Sequence, residues 1–191
     1  ILYDTMKIVE SAQIPAIWFV THKTAYLSNL LENEKFEVGI HPNFNSLLDG
    51  NKNHGNNKED IIDSFRELVP NARLVRCHSV VQSSRLSNLF HEKGFTHESN
   101  DYIPYFANIH LKPWKLDSGL IKVPYFWSDE LESKSTSKKS KISNLIRTKG
   151  LRVFDFHPIH VFLNTEDTNR YERTRPFHNN PEKLIKYRYK G

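Results

Sequence analysis

Ten of the 191 residues are histidine, and the polar groups best suited to chemistry stand where apolar runs end. His41 follows Phe36-Glu-Val-Gly-Ile40, Arg76 and His78 follow Leu74-Val75, Asp129 follows Ile121–Trp127, and His157 follows Leu151–Phe156. A neutral imidazole is a common ligand for zinc and similar divalent metals, with carboxylate or histidine partners from other strands. A guanidinium two residues from an imidazole, as in Arg76-Cys-His78, shares a strand face with it and can hold a carboxylate ionised through a bidentate contact. A strand-end carboxylate beside a strand-end imidazole, Asp129 with His157, fixes the tautomer and raises the pKa, which suits a general acid.

Each of these residues has a plainer alternative. Taken alone, His41 reads as a hydrogen-bonded structural residue; Pro42 biases it to an extended backbone, Gly39 permits close approach of a neighbouring chain, and Asn43 and Asn45 lie beside it. Arg76 reads alternatively as a surface arginine, His78 as a ring packed under a loop, and Asp129 as a cap for the next segment. Cys77, on the opposite strand face, reads as core, because nothing near it specifies a low-pKa thiolate. His157 and His160 are three apart and on a strand would face opposite ways, so they do not read as a chelating pair; His160 reads equally as packing. His22 lies just past a strand end, while His54, His91, His97, His110 and His178 read as loop or helix-surface residues.

The elements that must position these groups alternate. Ile1 to Gln13 has helical spacing and feeds a buried strand at Ile14–Val20; Thr24 to Asn33 is a short helix, Phe36 to His41 a strand ended by Pro42. After the Asn/Gly/Lys-rich stretch Asp49 to Lys58, the pattern predicts helices over Asp60–Leu68 and Ser84–Lys93, the latter closed by Gly94, with a strand at Leu74–Arg76. Short strands are expected at Phe95–His97 and Leu151–Phe156, a strand or extended segment at Ile121–Phe126, and a helix at Lys141–Thr148 stopped at Gly150. Strands alternating with helices predict an α/β fold with a largely parallel sheet or barrel, in which strand C-termini build the site.

Composition narrows the classes. A chain of 191 residues with 38% apolar and 26% charged side chains has room for one domain, 1–191. Its longest apolar run, Ile14 to Val20, falls far short of the ~20 residues of a bilayer span, so no membrane insertion is expected. The lone Cys77 excludes a disulfide scaffold and fits a reducing, cytoplasmic compartment. Twenty-seven Lys+Arg against 22 Asp+Glu give a net charge of +5 and a pI near 9.2, which suggests an anionic partner. Part of the excess lies in the Lys/Ser-rich stretch 133–143, read as a solvated surface loop, and part near the C-terminus. No recognition helix or aromatic-basic repeat supports a nucleic-acid partner, and none is expected.

Five segments in order, Ile14-Pro-Ala-Ile-Trp-Phe-Val-Thr-His22, Phe36-Glu-Val-Gly-Ile-His-Pro-Asn-Phe44, Pro70-Asn-Ala-Arg-Leu-Val-Arg-Cys-His-Ser79, Val123-Pro-Tyr-Phe-Trp-Ser-Asp129 and Phe156-His-Pro-Ile-His-Val-Phe-Leu-Asn164, resemble the polysaccharide deacetylase (NodB-like) superfamily, in its WbmS-like branch. The resemblance implies a distorted (β/α) barrel, here lacking its first strand, and a divalent metal, most often Zn2+, held by an Asp and two His. His41 matches the first His of the family's metal motif; Asn45 stands at the second, and His78 is the substitute ligand expected from the next strand. Arg76 matches the arginine that orients the catalytic base, Asp129 the acid that tunes the catalytic histidine, and His157 that histidine. The carboxylate that serves as base and metal ligand is expected upstream of Ile1, and a chain without it is expected to be inactive. Asn43, Asn45 and Trp127 are the expected substrate contacts. The implied activity is hydrolysis of an N-acetyl or related acyl group on a sugar of a surface polysaccharide or its precursor; the alternative is a non-catalytic glycan- or partner-binding member of the fold.

Overall fold

The computed structural model describes residues 1–135 and 141–191. In chain order the elements are α1 (Leu2–Ala12), β1 (Ala16–Val20), α2 (Leu27–Leu31), β2 (Phe36–Ile40), α3 (Asn45–Leu48), α4 (Lys58–Leu68), β3 (Leu74–Val75), α5 (Ser84–Glu92), β4 (His97–Glu98), β5 (Trp114–Lys115), β6 (Ile121–Lys122), β7 (Trp127–Ser128), α6 (Asp129–Lys134), α7 (Ile142–Leu145), β8 (Phe154–Asp155), α8 (Pro158–Leu163), α9 (Thr168–Thr174) and α10 (Pro181–Leu184). The chain divides into two compact units, one of Pro15–Tyr102 with Leu111–Pro124, the other of Ile1–Ile14, Ile103–His110 and Tyr125–Gly191.

The first unit is a mixed α/β structure around a six-stranded sheet of order β1-β2-β3-β4-β6-β5, parallel except for the β5–β6 pair. Its core joins Val20, Ile40 and Val75 from the strands to Ile61 and Ile62 of α4 and Phe90 of α5. Burying each such side chain stabilises the fold by about 1.5–3 kcal/mol, which explains why these helices form although neither is long. Each is also capped, α4 by Asn57 accepting from Asp60 N at 2.7 Å and α5 by Ser83 accepting from Leu86 N at 3.2 Å. Gly39 is required in β2: a Cβ there would lie 2.7 Å from Leu74 O and 2.8 Å from the Phe19 ring. Its absence lets β2 run close to β3, two residues before His41.

Of the stretch Ile121–Phe126, expected as a strand or extended segment, β6 takes only Ile121–Lys122, and β7 begins beyond it at Trp127. Pro124, with no N–H to offer a ladder, separates β6 from β7. In the second unit β7 and β8 pair in parallel, Trp127 opposite Phe154 and Ser128 opposite Asp155. Phe162, Leu163 and Leu184 form a small core with Ile1, Ile159 and Phe177, and α1 lies against α8. Of the predicted loop at 133–143, Ser133 and Lys134 complete α6, where Lys134 pairs with Glu130, and Ile142 begins α7; residues 136–140 lie outside the described residues. Among the described residues no helix is long and apolar enough to cross a membrane.

Candidate functional site

In the sheet unit, chain extensions beyond β2 and β3 are stitched together. His41 N donates to Val20 O at 2.9 Å, Arg76 N to Ile40 O at 3.1 Å, and His78 N to Pro42 O at 2.9 Å. The two imidazoles therefore leave neighbouring parallel strands at their C-terminal ends, with ring centroids 5.7 Å apart and edge to face. They line a cavity of about 210 Å³ with Thr21, Asn43 and His54. His54, read from sequence as a loop residue, arrives there from the Asn/Gly/Lys-rich stretch; its spacing from His41 carries no periodic signal that could have announced it.

The turn after His78 is unusual. Ser79 and Val80 have φ of 53° and 49°, and for a β-branched valine this left-handed conformation costs on the order of 1–3 kcal/mol. Asn45 Nδ2 donates to Ser79 Oγ at 3.1 Å, and Asn43 Oδ1 accepts from Asn45 N at 3.0 Å. Both asparagines thus brace the loops that carry His41 and His78. Arg76 is buried, and its Nη1 donates to Ser99 O at 3.0 Å.

Behind β3 lies a polar network that the sequence did not announce. Glu98 and Lys122 face each other in the β4–β6 register and pair at 2.8 Å, with side chains 0% and 6% exposed. Lys122 also contacts Asp101 at 2.9 Å and Gln82 at 2.8 Å, while Glu98 accepts from Ser87 at 3.0 Å and Asn100 at 2.7 Å. Asn100 in turn accepts from Cys77 N at 2.7 Å. Burial would lower the Lys122 pKa, but its bonds to Glu98 and Asp101 outweigh that and raise it. For Cys77 burial dominates and pushes the thiol up to about 12, the opposite of a reactive thiolate.

In the second unit the chemistry gathers at the ends of β7 and β8. Pro158 opens α8 at the first helical position, where its missing N–H costs nothing, and His157 becomes the N-cap. Asp129 reaches back to it with both oxygens: Oδ1 contacts His157 Nδ1 and Oδ2 accepts from His157 N, each at 2.7 Å, and Glu130 N also donates to Oδ1 at 2.7 Å. A carboxylate only accepts, so Nδ1 carries the hydrogen and Nε2 is the nitrogen available for proton exchange. Burial alone would depress the His157 pKa; the hydrogen bond and charge of Asp129, supported by Asp155 and Glu130, outweigh it and raise the value above 6.5.

His160 differs from the expectation drawn from strand spacing. Residues 157 and 160 span a helix N-terminus instead of a strand, so three-residue spacing brings the rings to one side, 5.8 Å apart at 86°. His160 is 6% exposed, packs on Tyr171 at 4.7 Å, and its Nδ1 finds no hydrogen-bond partner among the described residues. Burial first of all pushes its pKa below 6.5, only partly opposed by Asp129. Among the described residues, Asp129, His157 and His160 are the group whose ligating atoms come within 4.8 Å of one another, a nitrogen and oxygen donor set that fits a divalent cation such as zinc. Both Asp129 oxygens are, however, already engaged by N–H groups, which suits orientation of His157. Trp127 is buried beneath Phe156, ring centroids 5.0 Å apart, and Phe156 is 49% exposed.

The profile of the WbmS-like polysaccharide deacetylase family matches residues 1–175. Among solved structures, the chain is similar to a Bordetella bronchiseptica protein assigned as a polysaccharide deacetylase involved in O-antigen biosynthesis, with 39% identity and a TM-score of 0.86 over 100% of this chain and 78% of that one. No curated protein matches it.

Proposed function

The chain belongs to the WbmS-like polysaccharide deacetylase family, and on that premise we propose that it removes an N-acetyl or related acyl group from a sugar of a surface polysaccharide or its precursor, in a metal-dependent hydrolysis carried out in the cytoplasm. The barrel form implied by the resemblance is part of the same proposal. The observation that carries it is the Asp129–His157 pair: a carboxylate that fixes the Nδ1 hydrogen and raises the ring's pKa leaves Nε2 as the nitrogen placed to hand over a proton. In this reading His157 protonates the departing amine and Asp129 stabilises the resulting charge states.

His41 and His78 are assigned as metal ligands, since their imidazoles share one cavity at adjacent strand ends. A divalent ion held there, Zn2+ by preference for nitrogen donors, would supply Lewis-acid polarisation of the acyl carbonyl. Arg76 is assigned to orient the base. Asn43 contacts substrate from the cavity wall and Asn45 from the adjoining turn, while Trp127 supports the exposed Phe156 ring, against which a sugar face stacks.

The test combines metal analysis of the intact protein with turnover of an N-acetylated oligosaccharide. Replacing His41 with Ala is expected to remove bound metal and activity together, and replacing His157 with Ala to remove activity while metal stays. Unchanged turnover in both variants would sink the assignment. An intact protein that holds no metal and stays inactive on metal addition is the outcome expected of a non-catalytic glycan-binding relative.

A further inference from the structure

The basic end of the sequence has no part in the chemistry above. Four of the eight residues Lys183–Lys190 are cationic and none is acidic, against a net charge of only +5 for the whole chain. Lys186 and Lys190 have no carboxylate partner among the described residues. Between the cations stand Ile185, Tyr187 and Tyr189, which are 58%, 39% and 44% exposed. The segment is nevertheless anchored. Leu184 is 0% exposed in the small core with Phe162 and Leu163, Tyr189 N donates to Leu163 O at 2.9 Å, and the Arg170 guanidinium donates to Tyr187 O.

We propose that Lys183–Lys190 is a peripheral docking surface for an anionic phospholipid bilayer. The alternation of exposed Ile185, Tyr187 and Tyr189 with Lys and Arg is the argument for a bilayer over a soluble polyanion. A half-exposed isoleucine gains nothing from a hydrated phosphate, but it gains free energy at the boundary between headgroups and acyl chains. Tyrosine, with an apolar body and a polar tip, suits the same depth, and lysine stems lie along apolar surface while their ammonium groups stay with the phosphates. Because the Tyr189 backbone is already held, its N–H by Leu163 O and its carbonyl by the Asn164 side-chain amide, little ordering entropy is lost on docking. The surface rests on neither the metal nor the acid pair, so its test is independent of turnover.

The experiment is co-sedimentation of the full chain with vesicles of equal phosphatidylglycerol and phosphatidylcholine, beside vesicles of phosphatidylcholine alone. Binding is expected only to the anionic vesicles, weakening as salt is added. Each cation near such a surface contributes about a fivefold change in partitioning, so the double variant Lys186→Gln/Lys190→Gln is expected to bind about 25-fold more weakly, with an unchanged melting curve because both side chains are exposed. Ile185→Ser is expected to weaken vesicle binding without changing the affinity for soluble polyphosphate. Equal binding to both vesicle types, no binding to either, or an Ile185→Ser variant that binds anionic vesicles like the parent would overturn the proposal; the last result, with tight polyphosphate binding, would assign the surface to a soluble polyanion.

Discussion

Replacing Asp129 with Asn keeps the shape of the side chain and removes one acceptor oxygen and the charge. Asp129 accepts three hydrogen bonds at 2.7 Å, two on Oδ1 and one on Oδ2. With the amide oxygen in the Oδ1 position the bonds from Glu130 N and His157 Nδ1 survive, and the new NH2 group then opposes the backbone N–H of His157. One charge-assisted bond to a carboxylate that is 12% exposed is lost, which costs about 1.5–3 kcal/mol of stability. The functional effect is larger. With the charge gone, burial acts on His157 with only the weaker help of Asp155 and Glu130, so its pKa falls from its raised value. In the proposed role of general acid, a His157 so displaced would lose on the order of 10²–10⁴ in rate. The sign of the pH dependence follows from the same shift. A histidine whose pKa is raised on folding contributes stability that is fully present below its unfolded value of 6.5 and is lost as pH rises through the folded value. The stability difference between parent and variant is therefore expected to be larger near pH 6 than at about pH 8. NMR titration of the His157 ring, urea unfolding at the two pH values and deacetylase turnover measure the three effects. A His157 that titrates unchanged in the variant, or a variant with parental turnover, refutes the reasoning.

Glu98→Gln strips the fully buried one of two carboxylate partners from Lys122, which is only 6% exposed, and breaking a buried pair in this way is expected to cost up to about 3–5 kcal/mol in urea unfolding; a loss under about 1 kcal/mol would mean that Asp101 and Gln82 suffice for the ammonium. Cys77, buried with its pKa pushed up to about 12, is expected to resist an aromatic disulfide reagent in the native protein and to react once unfolded, and rapid native labelling would contradict the burial.

Much of the sheet unit was readable from residue order because its signals are local. Phe36–Ile40 is an apolar run closed by Pro42, and helices α4 and α5 carry both caps and buried faces. The apolar character of Ile121–Phe126 suits a strand and an extended segment alike, and it does not by itself say where a ladder hydrogen bond is missing, as it is at Pro124 beyond β6. The placement of His160 turns on a related ambiguity. Phe154 and Asp155 are strand, and Pro158 marks a first helical position as well as it marks a strand end; which it is sets whether residues three apart diverge or converge.

Residue types and their places at the ends of apolar runs mark His41, His78, Asp129 and His157 without any coordinates, since imidazole and carboxylate chemistry and the two backbone periodicities are properties of short segments. Distances between segments are not. Strand order and register brought Glu98 opposite Lys122, 24 positions apart, and the fold of the second unit turned Asp129 toward a backbone N–H and an imidazole 28 positions away. Pairings of this kind arise from packing that buries Ile40, Val75 and Phe90 in one unit and Leu163 and Leu184 in the other. The polar groups take their partners from where that apolar packing leaves them.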